Sequence, residues 1–157
     1  MTLNSSNNFR ARLVWSIATG LIAGLTALAT AALFTRDNSD WAILMPAAAI
    51  ATFLVTVMGT WLLLSYLHPV RVWKGIAVGF IAGLLAHPLT WYLTSLYLYL
   101  TGATSSLGDS TLNPVEAIGG TLIFSLFSLA FAGWISIPIS AITGGLVAYF
   151  YQKKSKS

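Results

Sequence analysis

The sequence predicts an all-α membrane protein: a four-helix transmembrane bundle made of two parallel-repeat helical hairpins. Three observations lead there. Only 8% of the 157 residues are charged, against 57% hydrophobic, whereas a soluble domain carries about 25% charged residues to keep its surface in water. The eight Lys and Arg and the four Asp and Glu stand in short clusters separated by long uncharged runs, four of which are long enough to cross a bilayer. A nine-residue pattern in the first run also returns in the third. With a mean hydropathy of +0.79, the solvent expected for most of this chain is lipid.

A helix needs ~20 apolar residues to cross about 30 Å of hydrocarbon. It is the expected solution because it satisfies every backbone N–H and C=O internally. The runs are continuously apolar rather than alternating, which argues against a β-barrel. The four spans are residues 13–34, 41–67, 75–100 and 117–151, forming one transmembrane domain over 1–157.

Span one is flanked by Arg10 and Arg12 and carries small residues at Ala27, Ala29 and Ala31, a pattern shared with cleaved signal peptides. Its uncharged stretch outruns the roughly 7–15 residues of a signal core, so it is read as a retained span. The largely polar first nine residues are expected to be disordered. Span two begins at Trp41 and ends before His68-Pro69, where His68 is read as ending the helix. Span three follows Arg71 and Lys74. Span four is too long: from Pro114 to Tyr151 a continuous helix would measure about 57 Å. Asn113-Pro114-Val115-Glu116 has the pattern of a capped helix start. Gly119-Gly120 could bend the helix, and Pro138, whose ring opposes the carbonyl of Trp134, predicts a kink over 134–138.

Charge sets the expected orientation. Arg10, Arg12, Arg71, Lys74, Lys153, Lys154 and Lys156 fall on one side of the spans. Arg36 and the acids Asp37, Asp40, Asp109 and Glu116 fall on the other. Basic flanks stay cytoplasmic, which places both termini in the cytoplasm, with a bacterial inner membrane as the default location. Trp15, Trp73, Tyr149 and Tyr151 at the inner level, and Trp41, Tyr97 and Tyr99 at the outer level, suit interfacial anchoring. The basic tail from Gln152 is read the same way, with contact to anionic lipid as the alternative.

The repeat is IATGLIAGL at 17–25 and IAVGFIAGL at 76–84, seven of nine positions identical, each preceded by a Val-Trp pair (Val14-Trp15, Val72-Trp73). Spans two and four share Leu-x-Pro starts, at Leu44/Pro46 and Leu112/Pro114. Both copies cross in the same direction, so duplication of a hairpin is preferred over chance similarity of Gly/Ala-rich spans. Small residues let helix backbones approach in lipid. Gly20 and Gly24 in span one, Gly75, Gly79 and Gly83 in span three, and Ser128, Ala132, Ser136, Ser140, Gly144 and Ala148 in span four are the expected packing faces.

His87 is the one ionisable residue well inside a span, ~18 Å along span three. It continues the Gly75, Gly79, Gly83 line at i+4, so it should face other helices. An ionisable group at that depth is a functional candidate. A neutral imidazole can equally act as interhelical glue, with Thr52, Thr56, Thr60 or Ser128 as partner, and that is the preferred expectation. The i, i+4 line Thr52, Thr56, Thr60 is expected to bond back to its own helix, with lining of a polar path as the alternative.

Most other chemistries lack their residues. There is no cysteine; one buried His without a buried carboxylate makes no metal site. Ser125, Ser128, Ser136 and Ser140 have no nucleophile turn or oxyanion donors around them. No enzyme activity and no cofactor are expected. The net charge of +4 lies in loops and tails rather than on a folded surface, so nucleic acid is not an expected partner. The preferred reading is a non-enzymatic accessory, assembly or regulatory subunit packing against a larger membrane complex, its partners being the bilayer and other transmembrane helices. The alternative is a small homo-oligomeric transporter or channel with a midplane site near His87.

Overall fold

The computed structural model describes residues 3–35, 44–67, 69–102 and 112–156, and throughout them the chain is helical or in short connections. The helices are α1 (Leu3–Thr35), α2 (Leu44–Tyr66), α3 (Val72–Thr101), α4 (Glu116–Ser128) and α5 (Trp134–Lys156), with a π-helical segment at Leu129–Gly133 joining the last two. Four stretches are long and apolar enough to cross a membrane: Phe9–Leu33, Leu44–Tyr66, Val72–Thr101 and Glu116–Lys154. The chain is thus an integral membrane protein with an all-α four-helix bundle. Arg36, Asp37, Asp40, Trp41, His68 and Asp109 lie outside the described residues.

The boundaries differ from the expected ones in instructive ways. α1 starts at Leu3, not after the polar leader, because extending a helix already nucleated adds one hydrogen bond per residue fixed without a new nucleation cost. α3 starts three residues early, at Val72, where the Gly75 N–H donates to the Arg71 carbonyl at 3.1 Å. Its end is set by Gly102, the single residue with positive φ among those described (φ 63°, ψ 21°), whose N–H reaches the carbonyls of Leu98 and Tyr99. Glycine takes this left-handed conformation without the Cβ clash other residues incur.

The expected capped start of the last span is present. Asn113 Oδ1 accepts from the N–H groups of Val115 and Glu116, both at 3.0 Å, and Glu116 Oε2 accepts from the Asn113 N–H at 3.3 Å. This reciprocal pair satisfies N–H groups that the helix leaves open. α4 then runs through Gly119 and Gly120, and the departure from α geometry comes at Leu129–Gly133, just before the expected 134–138. Pro138 lies inside α5. The indole N–H of Trp134 donates to the Phe131 carbonyl at 2.8 Å, satisfying backbone within the widened turn.

Small residues decide which helices touch. A Cβ at Gly20 would overlap Val57 and one at Gly24 would lie 3.1 Å from the Ala49 carbonyl oxygen, so α1 seats its glycines on α2. Gly75 and Gly144 face each other so closely that a Cβ on either would overlap the other's carbonyl oxygen. A Cβ at Gly79 would overlap the Ser140 carbonyl, and one at Gly83 would lie 3.1 Å from Ser140 Cβ, so α3 seats its glycines on α5. Gly20 and Gly24 pack on the next membrane span, and Gly79 and Gly83, their counterparts in the repeated pattern, do likewise, on its α5 part. Backbone contact of this kind is how helices associate where no hydrophobic drive exists between them.

The four spans do not close into a full ring. α1 packs on α2, α2 on α3, and α3 on both α4 and α5, whereas α1 meets α5 only slightly and does not pack on α4. At the end bearing Arg10, Arg12, Arg71, Lys74, Lys153 and Lys154, the bundle is shut by Leu63, Leu64, Val70 and Ala148, with Trp15, Val78 and Tyr151 against them. Trp15 and Tyr151 thereby serve as packing residues, while Trp73 and Tyr149 remain exposed. Gln152 Nε2 donates to the Val70 carbonyl, and Lys74 Nζ donates to the carbonyls of Leu67 and Pro69 at 3.1 Å each. Phe9 and Trp61 meet edge to face with ring centroids 5.2 Å apart.

Candidate functional site

Above that shut end lies a cavity of about 520 Å³ whose walls come from all four spans. α1 contributes Thr19, Ala23, Thr26, Ala27 and Thr30; α2 contributes Thr52, Thr56 and Thr60. α3 contributes Ala82, Ala86, His87 and Thr90, and the last span contributes Phe124, Phe127, Ser128, Phe131 and Ser136. Its volume falls within the ~300–1,000 Å³ typical of small-molecule sites. No Asp, Glu, Lys or Arg lines it. α1 and α4, which both line it, do not pack on each other.

His87 sits in its wall with both ring nitrogens bonded. Nδ1 lies 2.8 Å from Ser128 Oγ and Nε2 lies 2.9 Å from Ser136 Oγ. Ser128 Oγ also donates to the Ser125 carbonyl at 3.1 Å. A serine has one O–H to give. With that proton on Ser125, Ser128 accepts from Nδ1–H, and Nε2 accepts from the Ser136 hydroxyl. One neutral tautomer therefore satisfies all three side chains.

The π segment makes this bridge possible. Eight residues of regular α-helix turn about 80° beyond two full turns, so Ser128 and Ser136 would point to different faces. The widened turn between them absorbs one extra residue, removing about 100° of rotation and returning both hydroxyls to within about 20° of one face. Ser136, read from the sequence as a packing residue, is thus a hydrogen-bond partner. Ser140 and Gly144 keep the packing role, against Gly79 and Gly75. The signal for Ser136 was the proline two residues beyond it, which marked an irregular turn nearby.

The threonine line overturns its expectation. Thr19, Thr26, Thr30, Thr90, Thr94 and Thr143 each donate to the carbonyl four residues back. Thr52, Thr56 and Thr60 do not: their side chains line the cavity and make no hydrogen bond among the described residues, to their own helix or to His87. At the cavity wall farthest from the shut end, Trp91 stacks on Phe124 with ring centroids 4.9 Å apart.

The arrangement holds no cluster of three His, Cys, Asp or Glu among the described residues. It offers hydrogen bonds, apolar contact and shape to a guest without net charge. The chain matches no protein-family model, and no curated protein or solved structure shows significant similarity to it.

Proposed function

We propose that this chain is a non-enzymatic membrane protein that binds an uncharged small molecule between its spans and passes it along the bilayer normal, as a small transporter does. The observation that carries the reading is the cavity: about 520 Å³, lined by the four spans of one chain, with unpaired hydroxyls and no formal charge. A single chain supplies every wall, so no homo-oligomer is required to build the site. An ion would enter without a counter-charge, at a cost that intramembrane charges meet only when paired. A neutral guest meets no such cost.

Size favours a small molecule over a partner's helix inside this cavity. A transmembrane helix about 10 Å wide and 30 Å long occupies roughly 2,400 Å³, several times the space present. The accessory-subunit reading is the second one, supported by a different observation. Nearly every described residue belongs to a span, so any partner would meet this chain in the bilayer, on its outer faces. In either role the termini are proposed to be cytoplasmic, and the repeated glycine seats of α1 and α3 support descent from a duplicated hairpin.

Mild-detergent extraction of the tagged protein followed by native mass spectrometry tests the choice. The expected result is the chain carrying a discrete non-protein mass that disappears in Ala132→Phe, which fills the cavity, and persists in Leu54→Trp on the outer face of α2. Recovery only in a larger heteromeric complex, without such a mass, would establish the second reading instead.

A further inference from the structure

Resting on the small-molecule reading above, we infer that the guest is a single-chain lipid with an uncharged hydrogen-bonding head, of the long-chain alcohol type. It enters sideways through the gap between α1 and α4 and sets its head on Thr52, Thr56 and Thr60. Three features of the cavity specify this guest independently.

The first is the route. At the basic end the cavity ends against the packed cluster of Leu63, Leu64, Val70 and Ala148, and two of the membrane-spanning helices that line it, α1 and α4, do not pack on each other. An opening between spans faces acyl chains rather than water. A molecule already dissolved in the bilayer reaches it without leaving lipid.

The second is the division of polarity. α1 and the last span contribute Ala23, Ala27, Phe124, Phe127 and Phe131, which suit a hydrocarbon chain. α2 contributes hydroxyls at i, i+4 and i+8, spaced about 6 Å apart along the helix. Each can donate one hydrogen bond and accept others, so the row serves an alcohol, ester or ketone and offers no counter-charge to an ionised head. A head group released by one threonine finds the next one turn away, while its tail trails through the gap. The row thus forms a track of about 12 Å through the middle of the bilayer.

The third is that His87 is already occupied. Both its nitrogens are bonded to Ser128 and Ser136, whereas the three threonines have no partner among the described residues. The hydrogen bonds a guest gains without displacing an existing one are therefore on the three threonines of α2, with Ser140 on α5 as the other cavity hydroxyl without a partner among the described residues.

The test uses the full chain in phosphatidylcholine vesicles with three photoreactive probes: a diazirine-bearing hexadecanol, the matching hexadecanoate, and a diazirine-bearing glycerol ether without a long chain. The expected result is saturable labelling by the alcohol, mapped to peptides of α1 and α4 and competed by unlabelled hexadecanol, with at least tenfold weaker labelling by the carboxylate. Thr52→Val/Thr56→Val should lower alcohol labelling at least fivefold, while Thr143→Val, whose hydroxyl is bonded within its own helix, should leave it within twofold. Circular dichroism of each variant establishes that it is folded. Saturable labelling by the glycerol ether alone, or equal labelling by the carboxylate, overturns the lipid-alcohol assignment and leaves an intrabundle site in place. Absence of saturable labelling by all three probes removes the binding site altogether.

Discussion

Replacing Gly79 with alanine probes the physical basis of the bundle most directly. The added Cβ would overlap the Ser140 carbonyl oxygen and lie 2.8 Å from the Ser140 carbonyl carbon and 3.0 Å from Ala141 Cα. Carbon atoms in comfortable contact sit about 3.5–4.0 Å apart, so α3 and α5 must separate by roughly 0.7 Å for the carbon alone, and further for the oxygen. All the groups met are backbone, and none can swing aside. Overpacking of this kind costs about 1–3 kcal/mol. The upper part of that range is expected because Gly75 and Gly83 share the same seam and must part together. Gly119 is the control: an added Cβ there meets nothing within 4 Å, and alanine has the better helix propensity by about 1 kcal/mol. Equilibrium unfolding in mixed micelles, followed by circular dichroism, should give Gly79→Ala a loss of about 2–3 kcal/mol and Gly119→Ala no loss. A Gly79→Ala protein within about 0.5 kcal/mol of the parent would refute the backbone-contact account of how these helices hold together.

Other outcomes follow from the same geometry. His87→Ala removes two interhelical hydrogen bonds, each worth about 0.6 kcal/mol on average in membranes, and leaves a void, so a loss of about 1–3 kcal/mol is expected in the same unfolding assay. A double-mutant cycle with Ser136→Ala should return a coupling of at least about 0.5 kcal/mol; strict additivity would mean the bridge contributes nothing. Asn113→Ala should lower stability by about 1 kcal/mol through loss of the cap, with faster hydrogen exchange confined to the start of α4; unchanged exchange there would show the cap to be idle. Gly102→Ala forces a Cβ into the left-handed region at a cost of about 1–2 kcal/mol, measurable by the same unfolding assay, and a neutral result would mean the end of α3 can rearrange freely.

Much of this structure was legible in the sequence because lipid imposes few solutions. Four apolar runs must become four helices, and glycines at i+4 must seat on a neighbour. The direction of His87 toward its neighbouring helices followed from counting turns from Gly75, and Ser128 was within reach on the same grounds. What was not legible depended on departures from regular helix. Ser136 pairs with His87 only because a π turn re-phases the span, and no periodicity based on 3.6 residues can anticipate that. The threonine line was misjudged because periodicity does not set a hydroxyl's rotamer: Thr26 and Thr30 line the same cavity and bond their own helix, whereas Thr52, Thr56 and Thr60 do not. The first turns of α1 were underestimated because polar residues say little about a helix already started.

The glycine seams divide the molecule into two stiff arms. Within each arm, backbone lies against backbone, and sliding by even an ångström would bring carbonyls into collision. Between the arms, α2 meets α3 at Gly59, where an added Cβ would meet the side chains of Val78 at 3.1 Å and Ala82 at 4.0 Å rather than a carbonyl, a softer joint. Any opening or narrowing of the slot is therefore expected to be a rocking of one whole arm on the other, like pliers about their pivot, with little bending inside either.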